Sequence, residues 1–170
     1  MQSAYHNLPT ITGFMQKDGE EYKALDVKYR AGDKNVSFSL DISQAYPEEA
    51  LVQSWNRQIS LNRGSEVKIR DKFALEKVKQ DLIMNLMCWR KPEVVEEGQI
   101  QLINPEQIKQ SSVVQILYNK NRFIPEIETI PIEDSRLKNS WGSQIYRIRL
   151  RYRDTPQRGE YLICIRKKTR

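Results

Sequence analysis

An all-β fold is what this sequence of 170 residues predicts: an antiparallel, two-layer β-sandwich of about ten to twelve strands with little helix. Three observations carry the prediction. Strand-length runs that alternate apolar and polar residues recur along the chain. Turn-forming clusters punctuate them at short spacing, and no long helical pattern intervenes. No repeat of fixed period is present, which speaks against a propeller or a solenoid. The length suits one domain, large enough to bury a core.

Each element has its own warrant. Leu8 to Phe14 is short and β-branched and meets Gly13 at its end. Tyr22 to Tyr29 runs into Ala31-Gly32-Asp33-Lys34-Asn35, a strong turn signal, and Val36 to Ile42 then alternates with period two. These two runs read as a hairpin. Asp41 to Ala50 is a connection with room for one helical turn. Val52 to Leu61 and Glu66 to Phe73 flank Asn62-Arg63-Gly64-Ser65 as a second hairpin. In its second arm Val67, Ile69 and Asp71 share a face, so a carboxylate stands where an apolar residue is expected.

Val78 to Trp89 alternates at Leu82, Met84, Leu86 and Cys88, although it also holds helix formers. Its flanks assign it to a strand, with Pro92 as terminator. Gln99 to Ile103 alternates again, and Asn104-Pro105-Glu106-Gln107 opens a turn or a short helix. The last predicted strands are Val113 to Tyr118, Ile127 to Ile132, Gln144 to Tyr152 and Glu160 to Arg166.

Composition excludes several function classes. Apolar residues make up 39% and charged residues 29% of the chain, which argues against wholesale disorder. No apolar run approaches the roughly 20 residues that span a bilayer. The first seven residues lack the basic and apolar regions of a signal peptide. Cys88 and Cys164 form no CxxC or zinc cluster and read as buried thiols. The net charge of +6 is local: Arg147 to Arg170 carries nine basic and two acidic residues, a net of +7, and the preceding chain sums to −1. A polyanion is drawn first to the last strands.

Familiar catalytic signatures are absent: no P-loop, no dinucleotide fingerprint, no nucleophile elbow and no zinc helix. His6 is the only histidine, so a histidine-rich metal site cannot be built within the chain. Arg147, Arg149, Arg151 and Arg153 project from one side of a strand. Two readings stay open for them: a solvated face whose stems cover apolar surface, or a ladder of guanidinium forks for carboxylates, sulfates or phosphates. Trp55, Trp89 and Trp141 sit in or beside apolar strands, which favours core or domain-interface packing over a ligand shelf.

Several stretches taken together resemble a known family. Ser3-Ala4-Tyr5-His6-Asn7-Leu8-Pro9-Thr10-Ile11-Thr12-Gly13-Phe14-Met15-Gln16 resembles the motif opening the C-terminal β domain of heparinase II/III-type polysaccharide lyases. Asp41 to Pro47, Trp55-Asn56-Arg57 and Leu61-Asn62-Arg63-Gly64 are similar to the next hairpin of that domain, and Glu66 to Phe73 continues it. Trp141 to Ile148 also resembles the family. The likeness spans nearly the whole chain, and nothing in it matches the family's N-terminal helical toroid.

The resemblance implies an accessory C-terminal domain of an enzyme that cleaves uronic-acid-containing polysaccharides by β-elimination. Such chemistry needs a base, an acid and a group that neutralises the uronate carboxylate around one sugar. In the family most of these come from the helical half, and the β half contributes a histidine at the position of His6. Residues 1–7 are then the remnant of the linker from that helical domain, and residues 8–170 the sandwich. The expected partners are the toroid and an acidic polysaccharide, with no membrane and no nucleic acid. Arg147, Arg149 and Arg151 are the expected substrate-binding residues. The resemblance further implies a periplasmic or secreted location, no cofactor, and a zinc site that is missing or incomplete because some relatives show two histidines where this motif has one. Asn7 is expected to bond backbone locally, the carboxylate neutraliser belonging to the other half. The chain alone is expected to be inactive. A different class remains open beside this one, a stand-alone polyanion- or carbohydrate-binding β module.

Overall fold

A computed structural model describes residues 3–103 and 113–167. Among them are twelve strands: β1 (Pro9–Thr10), β2 (Leu25–Ala31), β3 (Asn35–Asp41), β4 (Val52–Asn62), β5 (Glu66–Leu75), β6 (Ile83–Cys88), β7 (Lys91–Glu96), β8 (Gln99–Ile103), β9 (Val114–Leu117), β10 (Phe123–Pro131), β11 (Gln144–Tyr152) and β12 (Arg158–Lys167). They form two antiparallel sheets. The smaller has the order β1-β6-β11-β10, the larger β2-β3-β4-β5-β12-β9-β8-β7. The predicted antiparallel two-layer architecture and strand number are what the chain adopts.

Both predicted hairpins form, β2 with β3 and β4 with β5. The four residues 62–65 turn the second one, and Gly64 supplies the positive φ of 76° that its tip needs. Near the start, Leu8 to Phe14 makes only the short β1 and then a tight reversal. Ile11 and Phe14 exchange both backbone hydrogen bonds around Thr12 and Gly13, at φ 45° and 87°. Positive φ at both central residues is the signature of a two-residue hairpin turn.

Three elements depart from expectation. Pro92 does not end a strand but sits inside β7, which lies at the edge of the larger sheet, the position where a strand tolerates proline. The run from Val78 narrows to β6, because residues 78–82 carry no strand pairing. A short helix, α1 (Ser135–Trp141), precedes β11, with the Asp134 carboxylate accepting from the backbone N–H of Arg136 and Leu137. Residues 104–107, predicted as a turn or short helix, lie outside the described residues.

Alternation puts the core between the sheets. Met84, Leu86, Ile148 and Leu150 of the smaller sheet face Trp55, Ile69, Phe73 and Ile163 of the larger. Aromatic rings bridge the layers: Phe73 meets Tyr152 edge-on at 6.0 Å, and Phe123 meets Tyr161 at 5.3 Å. Trp55 is fully buried and stacks on Phe73 at 4.8 Å. Trp89 and Trp141 are instead exposed on this chain. The cysteines are half-buried rather than buried, free, and on different sheets. The eight-stranded sheet is too wide for its partner to cover, and the connections at 11–16 and 42–51 also pack on the core through Ile11, Ala45, Tyr46 and Ala50.

Candidate functional site

The segment bearing His6 is placed by two arginines from different sheets. Ser3–Tyr5 forms a single 3-10 turn, closed when the His6 N–H donates to the Ser3 carbonyl at 3.1 Å. Ser3 is buried, and its hydroxyl accepts from the Gln16 N–H at 2.9 Å. Within residues 1–7, the linker remnant that the resemblance implies, Ser3 is thus tied to the sandwich. His6 follows this turn with its side chain exposed.

Arg57 holds the far side of the segment. It points from β4 into the core, 3% exposed, against a wholly buried Asp71 on β5. Two parallel bonds join them, Nε to Oδ1 at 2.8 Å and Nη2 to Oδ2 at 2.5 Å. The Tyr161 hydroxyl donates to Oδ2 at 2.5 Å, and the remaining guanidinium nitrogen donates to the Asn7 carbonyl at 2.7 Å. Asp71, out of place in the alternation of its strand, is thus the anchor of a buried network. Burial, with the Asp71 carboxylate beside it, pushes the Tyr161 phenol well above its ordinary range, so it stays a donor. Tyr46, whose hydroxyl donates to the Pro9 carbonyl at 2.5 Å, is raised too, chiefly by burial.

Asn7 adds a further tie. Its side-chain oxygen accepts from the backbone N–H of Met87 at 2.7 Å, so it bonds backbone, but across the fold and not locally. The neighbouring Asn85 donates to the Leu8 carbonyl at 3.0 Å.

Arg147 holds the near side. Its guanidinium lies over the Tyr5 ring at 4.9 Å and donates to the Ala4 carbonyl at 3.2 Å. The carbonyls two residues before and one residue after His6 are therefore each fixed by a guanidinium. The predicted stripe is real as geometry, with Arg147, Arg149 and Arg151 in alternate positions of β11. Of these, only Arg147 reaches the His6 segment.

The stripe also has partners that the sequence reading missed. Arg147 pairs with Glu128 at 2.6 Å, and Arg149 with Glu126 at 3.0 Å, each directly across from its partner on β10. Arg151 contacts Glu126 at 2.9 Å and Asp81 at 3.8 Å. Three arginines thus meet three carboxylates. The signal was present: Glu126 and Glu128 sit two apart on a strand pattern, the spacing that puts charges on one face.

No group of three or more His, Cys, Asp or Glu side chains suited to a metal occurs among the described residues. What the arrangement offers chemically is one imidazole on an exposed, doubly anchored turn.

The chain superposes on heparan sulfate lyase HepC from Pedobacter heparinus with a TM-score of 0.70, at 10% identity, over 99% of this chain and 25% of that one. The chain has the fold of one quarter of this lyase. A HepC mutant gives a TM-score of 0.69 over the same shares, again at 10% identity. Heparinase III with methylated lysines gives 0.61 at 10% identity, over 98% of this chain and 24% of that one. The chain therefore spans about a quarter of the length of the lyases whose fold it shares. No protein-family model matches the sequence, and no curated protein does.

Proposed function

We propose that this chain is the C-terminal β-sandwich domain of a polysaccharide lyase that cleaves uronic-acid-containing polysaccharide by β-elimination. One observation carries the reading: the whole chain follows the fold of heparan sulfate lyase and heparinase III, within a quarter of their length. In this reading a helical toroid supplies most of the reacting groups, and the sandwich completes one wall of the cleft.

His6 is the group the domain brings to the reaction. In β-elimination the proton α to the uronate carboxylate leaves with a base, and the glycosidic oxygen departs with a proton. An imidazole is suited to either transfer near neutral pH, provided it is held in reach of the sugar. The clamp from Arg57 and Arg147 serves that requirement, since it limits the positions open to the turn. Arg147, Arg149 and Arg151 serve the substrate's anionic groups by exchanging Glu126 and Glu128 for a uronate or sulfate. Arg147 is the best placed, because it already touches the His6 turn. Extracellular or periplasmic action is part of the same proposal.

The test joins this domain to its helical partner in the full-length protein and follows unsaturated uronate by ultraviolet absorbance. His6→Ala is expected to lower kcat at least a hundredfold with the fold intact. The chain of 170 residues by itself is expected to release no product. Full activity in His6→Ala, or activity of the isolated chain, defeats the proposal.

A further inference from the structure

The outward face of the larger sheet carries a second feature, separated by the sheet itself from the Arg57–Asn7 contact. Cross-strand register builds it as rows. Lys28 stands opposite Ser39, Ser39 opposite Gln58, and Gln58 opposite Arg70. Alongside, Arg30 is opposite Ser37, Ser37 opposite Ser60, and Ser60 opposite Lys68. In a third row Asp41 is opposite Asn56, Asn56 opposite Lys72, and Lys72 opposite Glu160. Residues directly opposite one another share a face, so these rows form one surface.

The surface has a pattern. Lys28 and Arg30 form a cationic edge on β2, and Lys68, Arg70 and Lys72 a second one on β5. With adjacent strands about 4.8 Å apart, the two edges lie ~14 Å from each other. In the first two rows the floor between them is hydroxyls and amides, with Gln58 donating to the Ser37 hydroxyl at 3.2 Å, while Asp41 closes the third row and Asp26 lines the middle hollow beside Lys28. Three hollows of about 250, 340 and 640 Å³ adjoin along it, sharing Gln58, Asn56 and Lys72 among their walls. Glu66 pairs with Lys68 and Glu160 with Arg70. Among the described residues, Lys28, Arg30 and Lys72 stand outside the ion pairs.

We propose that this trench is a non-catalytic binding track for an acidic polysaccharide chain. The cationic edges take carboxylates or sulfates, and the serine and amide floor takes sugar hydroxyls. None of the rows carries an aromatic ring, so they offer no stacking platform of the kind single-stranded nucleic acid uses. The choice of glycan as occupant rests partly on the lyase reading above. The track itself rests on register and charge.

The probe is a fluorescently labelled heparin oligosaccharide, titrated against the chain of 170 residues at two salt concentrations. A triple variant, Lys68→Gln with Arg70→Gln and Lys72→Gln, is compared with a charge-matched control, Lys79→Gln with Lys120→Gln and Lys138→Gln. All six side chains are exposed or lie on outward positions, so folding is not at stake. The track variant is expected to bind at least tenfold more weakly near 0.15 M salt, with a shallower salt dependence. The control is expected to stay within about twofold. Equal losses in both variants, or no binding by the parent at low salt, overturn the track. Equal affinity for single-stranded DNA of matched length overturns the glycan assignment. Lyase activity does not enter this titration, so failure of the His6 proposal leaves its outcome readable.

Discussion

Asp71→Asn is the substitution that most directly tests whether the buried network organises the domain. It keeps the shape of the side chain and removes the charge, leaving the Arg57 guanidinium in the core without its counter-ion. Breaking one partner of a buried, hydrogen-bonded pair costs about 3–5 kcal/mol. For a chain of this size each kcal/mol moves the midpoint by about 2–4 °C, so the expected drop in Tm is roughly 10 °C. Against a typical total of about 5–15 kcal/mol, that is a large share.

Urea unfolding measured by tryptophan fluorescence reads the cost, because Trp55 is buried two residues from Arg57 on the same face of β4. The companion variant replaces both partners, Arg57→Met with Asp71→Leu. No charge then stays buried alone, and the remaining deficit is the orphaned Tyr161 hydroxyl, about 1–3 kcal/mol, since Asn7 is exposed to water. The double variant is expected to be more stable than Asp71→Asn. A single variant within 1 kcal/mol of the parent, or a double variant less stable than the single, would refute the argument.

Two further outcomes follow from buried titratable groups. Tyr46 and Tyr161 are raised by burial, and Tyr152 is pushed up to about 12 by the same cause, so the folded state keeps phenol protons that the unfolded chain loses from about pH 10. Stability is therefore complete below pH 10 and falls as pH rises beyond it, by up to about 1.4 kcal/mol per pH unit for each group; urea midpoints at pH 9, 10 and 11 check the sign. Burial pushes the Cys88 and Cys164 thiols up to about 11, with Glu66 adding to the effect at Cys164. Iodoacetamide is expected to alkylate both on the order of a hundredfold more slowly at pH 8 than it does free cysteine, measured by intact mass.

The strands were legible where period-two alternation was long and bounded by turns, and β11 matches its predicted range residue for residue. The sequence reading failed where context decides conformation. Pro92 signals an interruption unless the strand is known to be an edge, and edge position is a property of sheet order. Asp134 capping a seven-residue helix is visible only once β10 and β11 are known to be joined by it. At the candidate site, Asp71 announced itself by breaking a pattern, yet its partner Arg57 lies in a different strand and its effect reaches Asn7. Pairings of that range are set by register. The balancing of the β11 arginines by Glu126 and Glu128 belongs to the same class.

The mismatch in width between the sheets has a practical consequence. A four-stranded layer cannot roof eight strands, and the stretches at 11–16 and 42–51 fill part of the shortfall with fully enclosed side chains such as Ile11 and Ala50. They are loops by backbone and interior by environment. In this domain, trimming or exchanging those connectors amounts to cutting into the centre of the molecule, while the true surface variation is left to the hairpin tips.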